Sequence, residues 1–389
     1  MDENLTCPTC FVEPDSLFPI LLSIVIPAYN ASDDLRACLS SLQGTIPVPY
    51  EILVVDDAST DTTPQVAQEF AVSLFSRTIR SGPASARNLG CREAQGQWVF
   101  FIDADVTVEP DTIANALTHI HQNPSIDAIF GSYDNAPADP GLVSQFRNLL
   151  HHHVHQTGDF HDNIRQAQTF WTGCGFIRRD VFLKLGGFDH WRYEKPAIED
   201  IEFGYRLIDA GHHTVLARNV LCKHRKRWTI PSMLRTDFFQ RGLPWSLLML
   251  RSTRQTNDLN VDKIQKLAAL AAALTWLGLL LAALVPFSGM AIALASCTLM
   301  ISLNLNFFRL LRSRGGLILA FASISLMNLY YLVCLSSYAT AVLVWILQDK
   351  LGLLKTKSTL RPFPYSNHIA EALKNRNSDA ILKKSSTLK

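Results

Sequence analysis

The chain is 389 residues long, 48% hydrophobic and 18% charged, with a formal net charge of +2 and a mean hydropathy of +0.11. Its length allows one large domain or two smaller ones, and its hydropathy is high for a wholly soluble protein. The basic residues are dispersed, with no long patch interleaving them with aromatics, so no nucleic-acid partner is expected.

Residues 1–20 read as a flexible leader without the pattern of a secretory signal. Cys7 and Cys10 have zinc-knuckle spacing, but the second pair of ligands is missing. The eight cysteines are too scattered for a disulfide framework, which implies a reducing compartment for the N-terminal domain. Residues 23–27 (SIVIP) predict a short buried strand, and residues 31–42 a helix with Leu35, Leu39 and Leu42 on one face. Residues 51–57 (EILVVDD) predict the next strand, followed by a helix starting near Thr63-Pro64. A third helix over residues 87–94 and a strand over residues 98–103 complete an alternation that argues for an α/β fold with a doubly wound, mostly parallel sheet.

In such sheets ligands gather at the carboxyl ends of the strands. Here those ends carry Tyr29-Asn30, Asp56-Asp57 and Asp103-Ala104-Asp105. Two carboxylates one residue apart where the chain leaves a strand can share a hard cation and its phosphate ligands, although acidic residues also crowd at solvated strand ends.

Beyond residue 111 the pattern predicts a helix to about residue 122 and a strand over residues 128–132. His151, His152, His153 and His155 follow, with His161 further on. On a helix such a run points around the axis, so a solvated or substrate-facing surface is expected rather than a metal site. Residues 171–176 (WTGCGF) are glycine-punctuated and can bring backbone close to a ligand. A helix over residues 179–185 and a turn over 186–189 lead to Glu199-Asp200 at the start of a helix over residues 201–210. The basic run 223–228 (KHRKRW) suits anionic headgroups or an anionic ligand.

No charge occurs over residues 267–308, and Pro286, Ser288 and Gly289 divide that run into two segments, each long enough to span a bilayer. A basic loop at Arg309, Arg312 and Arg314 precedes a third uncharged run over residues 315–348, longer than one span needs and short for two. Three crossings are therefore expected, which would export the C-terminal tail. Lys350, Lys355, Lys357 and Arg361 oppose this by favouring a tail kept inside.

The segments SIVIPAYN, EILVVDDAST, SGPASARNLG, FFIDADV, GCGFIRRDVFLKLGGFD and EDIEFGYRLIDAGH occur in the order, and at about the spacing, of inverting family 2 glycosyltransferases of the GT-A fold. Over residues 22–230 the chain resembles that family. The resemblance implies a GT-A catalytic domain over residues 21–230, followed by a juxtamembrane segment (231–266), about three membrane helices (267–348) and a polar, basic tail (349–389). It further implies that Pro27, Ala28 and Tyr29 line the base and ribose, and that Asp57 or Asp56 accepts a hydrogen bond from the base. Arg87, Asn88 and Asp103 would complete the nucleotide site. Asp103 and Asp105, with His224 as a further ligand, would hold Mg²⁺ or Mn²⁺ on the donor diphosphate.

The pair Glu199-Asp200 would supply the base that deprotonates the acceptor hydroxyl, with Asp200 the candidate. Gly173, Cys174 and Gly175 would shape the acceptor side. The expected donor is a nucleotide-diphosphate sugar, with a UDP-sugar favoured, and the acceptor a lipid-linked molecule or glycan. The catalytic domain would face the cytoplasm from a multi-pass anchor in the cell membrane. Processive relatives carry a Gln-x-x-Arg-Trp signature, whereas residues 240–245 here read QRGLPW, with one residue too many and proline where arginine is expected. Single transfer is therefore expected, with a processive polysaccharide synthase and a non-catalytic nucleotide-sugar-binding scaffold as the alternatives.

Overall fold

The computed structural model describes residues 21–252 and 262–353. The leader with Cys7 and Cys10, together with Lys355, Lys357 and Arg361, lies outside these residues.

The chain begins with β1 (Leu22–Ala28), α1 (Ser32–Leu42), β2 (Tyr50–Asp56), α2 (Thr63–Glu69), β3 (Ser73–Ser76), α3 (Pro83–Glu93) and β4 (Trp98–Ile102). β1 and β4 are buried almost throughout, the pattern of parallel strands covered on both faces. α3 starts at Pro83, four residues before the position that the sequence predicts. Proline suits a first helical turn, and Gly82 before it has φ +86 with no room for a Cβ against the Glu194 carbonyl. The small-residue run Gly82-Pro83-Ala84-Ser85-Ala86 is thus the opening of the helix itself, and Arg87 lies in its second turn.

After a turn at Asp103-Ala104-Asp105 come β5 (Val106–Val108), α4 (Thr112–Gln122), β6 (Ala128–Tyr133), α5 (Leu142–Gln156), β7 (Ile164–Gln166), β8 (Cys174–Arg178), α6 (Arg179–Lys184), α7 (Glu199–Asp209) and β9 (Thr214–His224). The sheet order is β3-β2-β1-β4-β8-β6-β9-β5, with β7 also on β9. β3 to β4 are parallel, β8 runs against β4 and β6, and β9 is parallel to β6. The sheet is therefore mixed at its second half. Apolar side chains cover both faces, one cluster built around Leu35, Leu39 and Phe100, the other around Phe101, Phe182 and Phe203.

α8 (Ile230–Arg235) runs through a π-helical segment (Thr236–Gly242) into α9 (Leu243–Arg251). A π-helical turn accommodates one extra residue, and it falls on the QRGLPW stretch that the sequence shows to be one residue too long.

α10 (Lys263–Leu281) and α11 (Pro286–Leu303) form an antiparallel hairpin, and α12 (Leu305–Trp345) continues helically to Lys350. All three are long and apolar enough to cross a membrane. Arg309, Arg312 and Arg314 are helical rather than in a loop; the helix is interrupted just after them, at Gly315 and Gly316. The third uncharged run is one helix, without a hairpin of its own. A third apolar cluster joins α5 and Trp228 to α10 and α12, so the long apolar helices pack directly on the sheet domain.

Candidate active site

The strand ends open into a single cleft of about 1340 Å³ that runs from Pro27 and Asp57, past Asp105 and Asp200, to Lys266 on α10 and Tyr331 on α12. Small-ligand sites generally occupy ~300–1,000 Å³, so this cleft has room for two reactants.

At the first end, Pro27, Ala28, Tyr29 and Asp57 line the wall. Asn30, at φ 47, ties the loops after β1 and β2 together: its N–H donates to Ser59 Oγ at 2.9 Å and its Oδ1 accepts from Thr60 N at 2.8 Å. Asp57 accepts from the backbone of Ser81 at 2.9 Å and Gly82 at 2.7 Å, which fixes the entry to α3. The sequence leaves Asp56 and Asp57 as alternatives; Asp56 lies behind the wall, its carboxylate accepting from Ser59 N at 3.1 Å. Arg80 joins the site without any motif to announce it. Its guanidinium lies 3.7 Å from the Tyr29 ring centre, a cation over an aromatic face at the mouth of this wall.

Arg87 is 4% exposed and grips two carboxylates, donating to Asp103 Oδ1 at 2.6 Å and to Glu199 Oε1 at 2.9 Å. Burial disfavours its charge, but Asp103 and Glu199 outweigh this and hold it protonated. The acidic turn after β4 and the acidic start of α7 are thereby joined through one cation. Burial pushes the Asp103 carboxyl up, and Asp105 adds to this while Arg87 opposes it. Asn88, expected in the nucleotide site, turns elsewhere: it donates to Phe188 O and accepts from Phe188 N, both at 2.8 Å. It fastens the Gly186-Gly187 turn, so the sequence motif conceals a structural role.

Antiparallel pairing of Val106 with His224 sets that histidine beside Asp105. His224 Nε2 lies 3.4 Å from Asp105 Oδ2, while Nδ1 lies 3.0 Å from Asn148 Oδ1. An amide oxygen only accepts, so Nδ1 donates to Asn148 and Nε2 is the nitrogen turned to the carboxylate. Burial disfavours the Asp105 anion, yet His224 and Lys226 hold its carboxyl below the usual range. A ring nitrogen turned to a carboxylate, with the ring oriented by a buried amide, fits a divalent cation. Among the described residues no group of three His, Cys, Asp or Glu side chains converges on one point. The remaining ligands would come from phosphate and water, as is usual for Mg²⁺.

Asp200 is not the N-cap of its helix. α7 starts at Glu199, two residues before the position that the sequence predicts, with Ile198 at the cap. Asp200 Oδ2 accepts from Thr172 N at 3.1 Å, and Oδ1 from Ile201 N at 2.8 Å. Burial, reinforced by neighbouring Glu199, pushes its carboxyl up to about 7, against opposing contributions from Arg87 and these N–H groups.

Gly173, Cys174 and Gly175, expected to shape the acceptor side, do not line the cleft; Thr169 to Thr172 do. A Cβ on Gly173 would fall 2.3 Å from the Trp171 ring, and one on Gly175 2.3 Å from the Trp171 carbonyl. The glycines are needed by Trp171, not by a ligand. The histidine run is likewise no solvated face. His151 packs on Tyr133, His155 and Trp171 at 4.1–4.7 Å between ring centres, and Tyr133 stacks on His224 at 4.7 Å. Burial, then His155 and Arg147, hold His151 neutral. His153 packs on Phe307 of α12. His151 and His155 do reach the cleft. The far end is lined by Lys226, Trp228, Gln240, Arg241, Trp245, Lys263 and Lys266. The lengthened QRGLPW stretch thus faces the site.

The sequence pattern described as Glycosyl transferase family 2 matches residues 23–186. Over those residues the chain is similar to family 2 glycosyltransferases. Among its relatives is an uncharacterized glycosyltransferase of Haemophilus influenzae, 27% identical over 206 residues covering 50% of this chain and 64% of the relative. Another is the validoxylamine A glucosyltransferase of Streptomyces hygroscopicus subsp. limoneus, 32% identical over 229 residues covering 51% of this chain and 50% of the relative. The chain thus spans half to two thirds of the length of these curated relatives. A mannosyltransferase from Pyrobaculum calidifontis, solved in complex with GDP-Man and Mn²⁺, shares 20% identity over 86% of this chain and 89% of that one, with a TM-score of 0.49. The mixed sheet described above, over the stretch that this pattern matches, has the GT-A fold.

Proposed function

We propose that this protein is a membrane-anchored inverting glycosyltransferase that moves one sugar from a nucleotide-diphosphate donor to a hydroxyl on a lipid-linked or membrane-proximal acceptor. The observation that carries this reading is Asp200, a carboxyl raised to about 7 on the cleft that also holds Asp105 and His224. Inversion needs one in-line displacement, with a base on the acceptor side and no protein nucleophile. Asp200, held in place by Thr172 and Ile201, takes the acceptor proton.

Tyr29 and Arg80 enclose the base, and the acceptor-only carboxylate of Asp57 suits an imide N–H, which favours a UDP-sugar. Asp105 and His224 would hold Mg²⁺ or Mn²⁺, with Asp103 close by on Arg87. A cation bound there would neutralise charge on the leaving diphosphate. Arg87 keeps Asp103 and Glu199 in register, so the donor-side and acceptor-side carboxylates keep a fixed spacing.

The acceptor half of the cleft opens between α9 and the membrane helices, and Lys226, Arg241, Lys263 and Lys266 border it. Such a border supports an acceptor whose head bears negative charge and whose remainder lies in lipid. Arg251, Lys263, Lys266, Arg309, Arg312 and Arg314 flank the α10–α11 hairpin on the catalytic side, which supports a cytoplasmic catalytic domain. The test is transfer by the purified full chain in detergent with a panel of nucleotide sugars and Mn²⁺, reading the anomeric configuration of product and donor. Retained configuration, or binding without transfer or hydrolysis, contradicts the proposal.

A second reading, processive synthesis, draws on Gln240, Arg241 and Trp245 lining the cleft despite the altered spacing. Product length separates the two.

A further inference from the structure

Length and hydropathy suit α12 to a third crossing of the bilayer, yet its contacts do not follow the path of a span. The Tyr331 hydroxyl lies within hydrogen-bond distance of both Gln265 Oε1, at 2.8 Å, and Asn304 Oδ1, at 3.0 Å. Gln265 is at the start of α10 and Asn304 at the end of α11, so Tyr331 sits over the mouth of the hairpin. A helix returning through the bilayer from Leu305 would have carried residue 331, which is 27 positions past Asn304, about 40 Å away, beyond a hydrocarbon core of ~30 Å. The break at Gly315 and Gly316 redirects the chain; Gly316 has φ 69 and ψ −166, a conformation open essentially to glycine alone.

Both ends of α12 rest on the catalytic domain. Near its start, Phe307 packs on Phe146 of α5 at 5.8 Å between ring centres. Near its end, Asp349 pairs with Arg251 at 2.9 Å, and Gln348 accepts from the same guanidinium at 2.7 Å. Arg251 ends α9, which is itself fixed to the domain: Trp245 Nε1 donates to the Tyr205 hydroxyl at 2.9 Å, and Leu248 is buried with Tyr193, Ile198 and Tyr205. Between these points the helices touch closely, because a Cβ on Gly242 would lie 2.2 Å from Ser337 Oγ.

We infer that α12 does not cross the bilayer: it lies along the membrane surface under the catalytic domain, and its C-terminal end is on the same side as the active site. Ile318, Phe321 and Leu343 are 77%, 67% and 57% exposed and enter the acyl boundary, while the opposite face is covered by protein. This accounts for a hydropathy too high for an ordinary amphipathic surface helix. Arg309, Arg312 and Arg314 at one end and Lys350 at the other then meet the same anionic leaflet. The conflict between charge and crossing number that the sequence poses disappears. The partner surface is a lipid bilayer with anionic headgroups, and the α10–α11 hairpin is the span among the described residues.

Glycosyl transfer plays no part in this topology, and the experiment that tests it reads no activity. In the full chain, a topology reporter fused after Lys389 is compared with one inserted at Leu284, in the α10–α11 turn. Opposite faces are expected, with Lys389 on the face of the catalytic domain. Protease accessibility of an epitope at Lys389 in sealed vesicles of known orientation locates the C-terminus without an insertion. A C-terminus on the face of Leu284 overturns the inference.

Discussion

His224 Nε2 faces Asp105 Oδ2 across 3.4 Å, and the imidazole is held in that attitude from behind by Asn148. His224→Ala is expected to weaken Mn²⁺-dependent binding of a nucleoside diphosphate, and Asp105→Ala to abolish it. Asn148→Ala, which touches neither ion nor donor, should lower metal affinity by roughly 10–100-fold, the usual scale for losing the partner that orients a histidine ligand. Mn²⁺ titration in the presence of UDP checks all three. Equal affinity in the Asn148 variant would show that the ring needs no orienting.

Arg87 is the buried cation between Asp103 and Glu199. Arg87→Met should destabilise the domain by about 3–5 kcal/mol, because it leaves the buried Glu199 and the half-buried Asp103 without their counter-charge. Denaturant unfolding measures this directly. A loss below ~1 kcal/mol would mean that solvent already screens the pair.

Gly175 makes room for the Trp171 carbonyl. Gly175→Ala should cost about 1–3 kcal/mol of stability with little change in acceptor KM for the fraction that stays folded. A raised KM at full stability would return the glycine to the acceptor site.

The strands of the first half are legible in the sequence because buried apolar runs ending in turn chemistry have few other solutions, and the acidic strand ends mark the cleft. Three things are hidden. Arg80 is a loop residue whose partner Tyr29 is remote in sequence. Asn88 and Gly173 sit within ligand-like motifs, yet serve Phe188 and Trp171, contacts that exist only once the chain is folded. The histidines of α5 look solvated because a helical run of polar residues gives no sign that β6, β9 and α12 will cover it. Hydropathy likewise measures how apolar α12 is, and protein contact and lipid contact satisfy that equally.

Asp200 sets the expected pH dependence. Its folded pKa of about 7 lies above the ordinary 3.8, so the folded chain holds this proton more tightly than the unfolded one. Its contribution to stability is complete below about pH 4 and is lost as pH rises through 7. Catalysis runs the other way, since the base must be ionised: kcat/KM should rise with pH up to about 7 and then level. Thermal unfolding and rates from pH 5 to 8 check both signs, and Asp200→Asn should flatten the stability difference.

The most direct test of the central claim is donor affinity and transfer rate measured side by side for Asp200→Asn in the purified full chain. The amide keeps the shape of the side chain and one of the two acceptor positions that serve Thr172 and Ile201, and it cannot take a proton. We predict nearly unchanged binding of the nucleotide sugar, with turnover lower by roughly 10² or more. Affinity falling in parallel with rate, or turnover left intact, would contradict the assignment of Asp200 as the base.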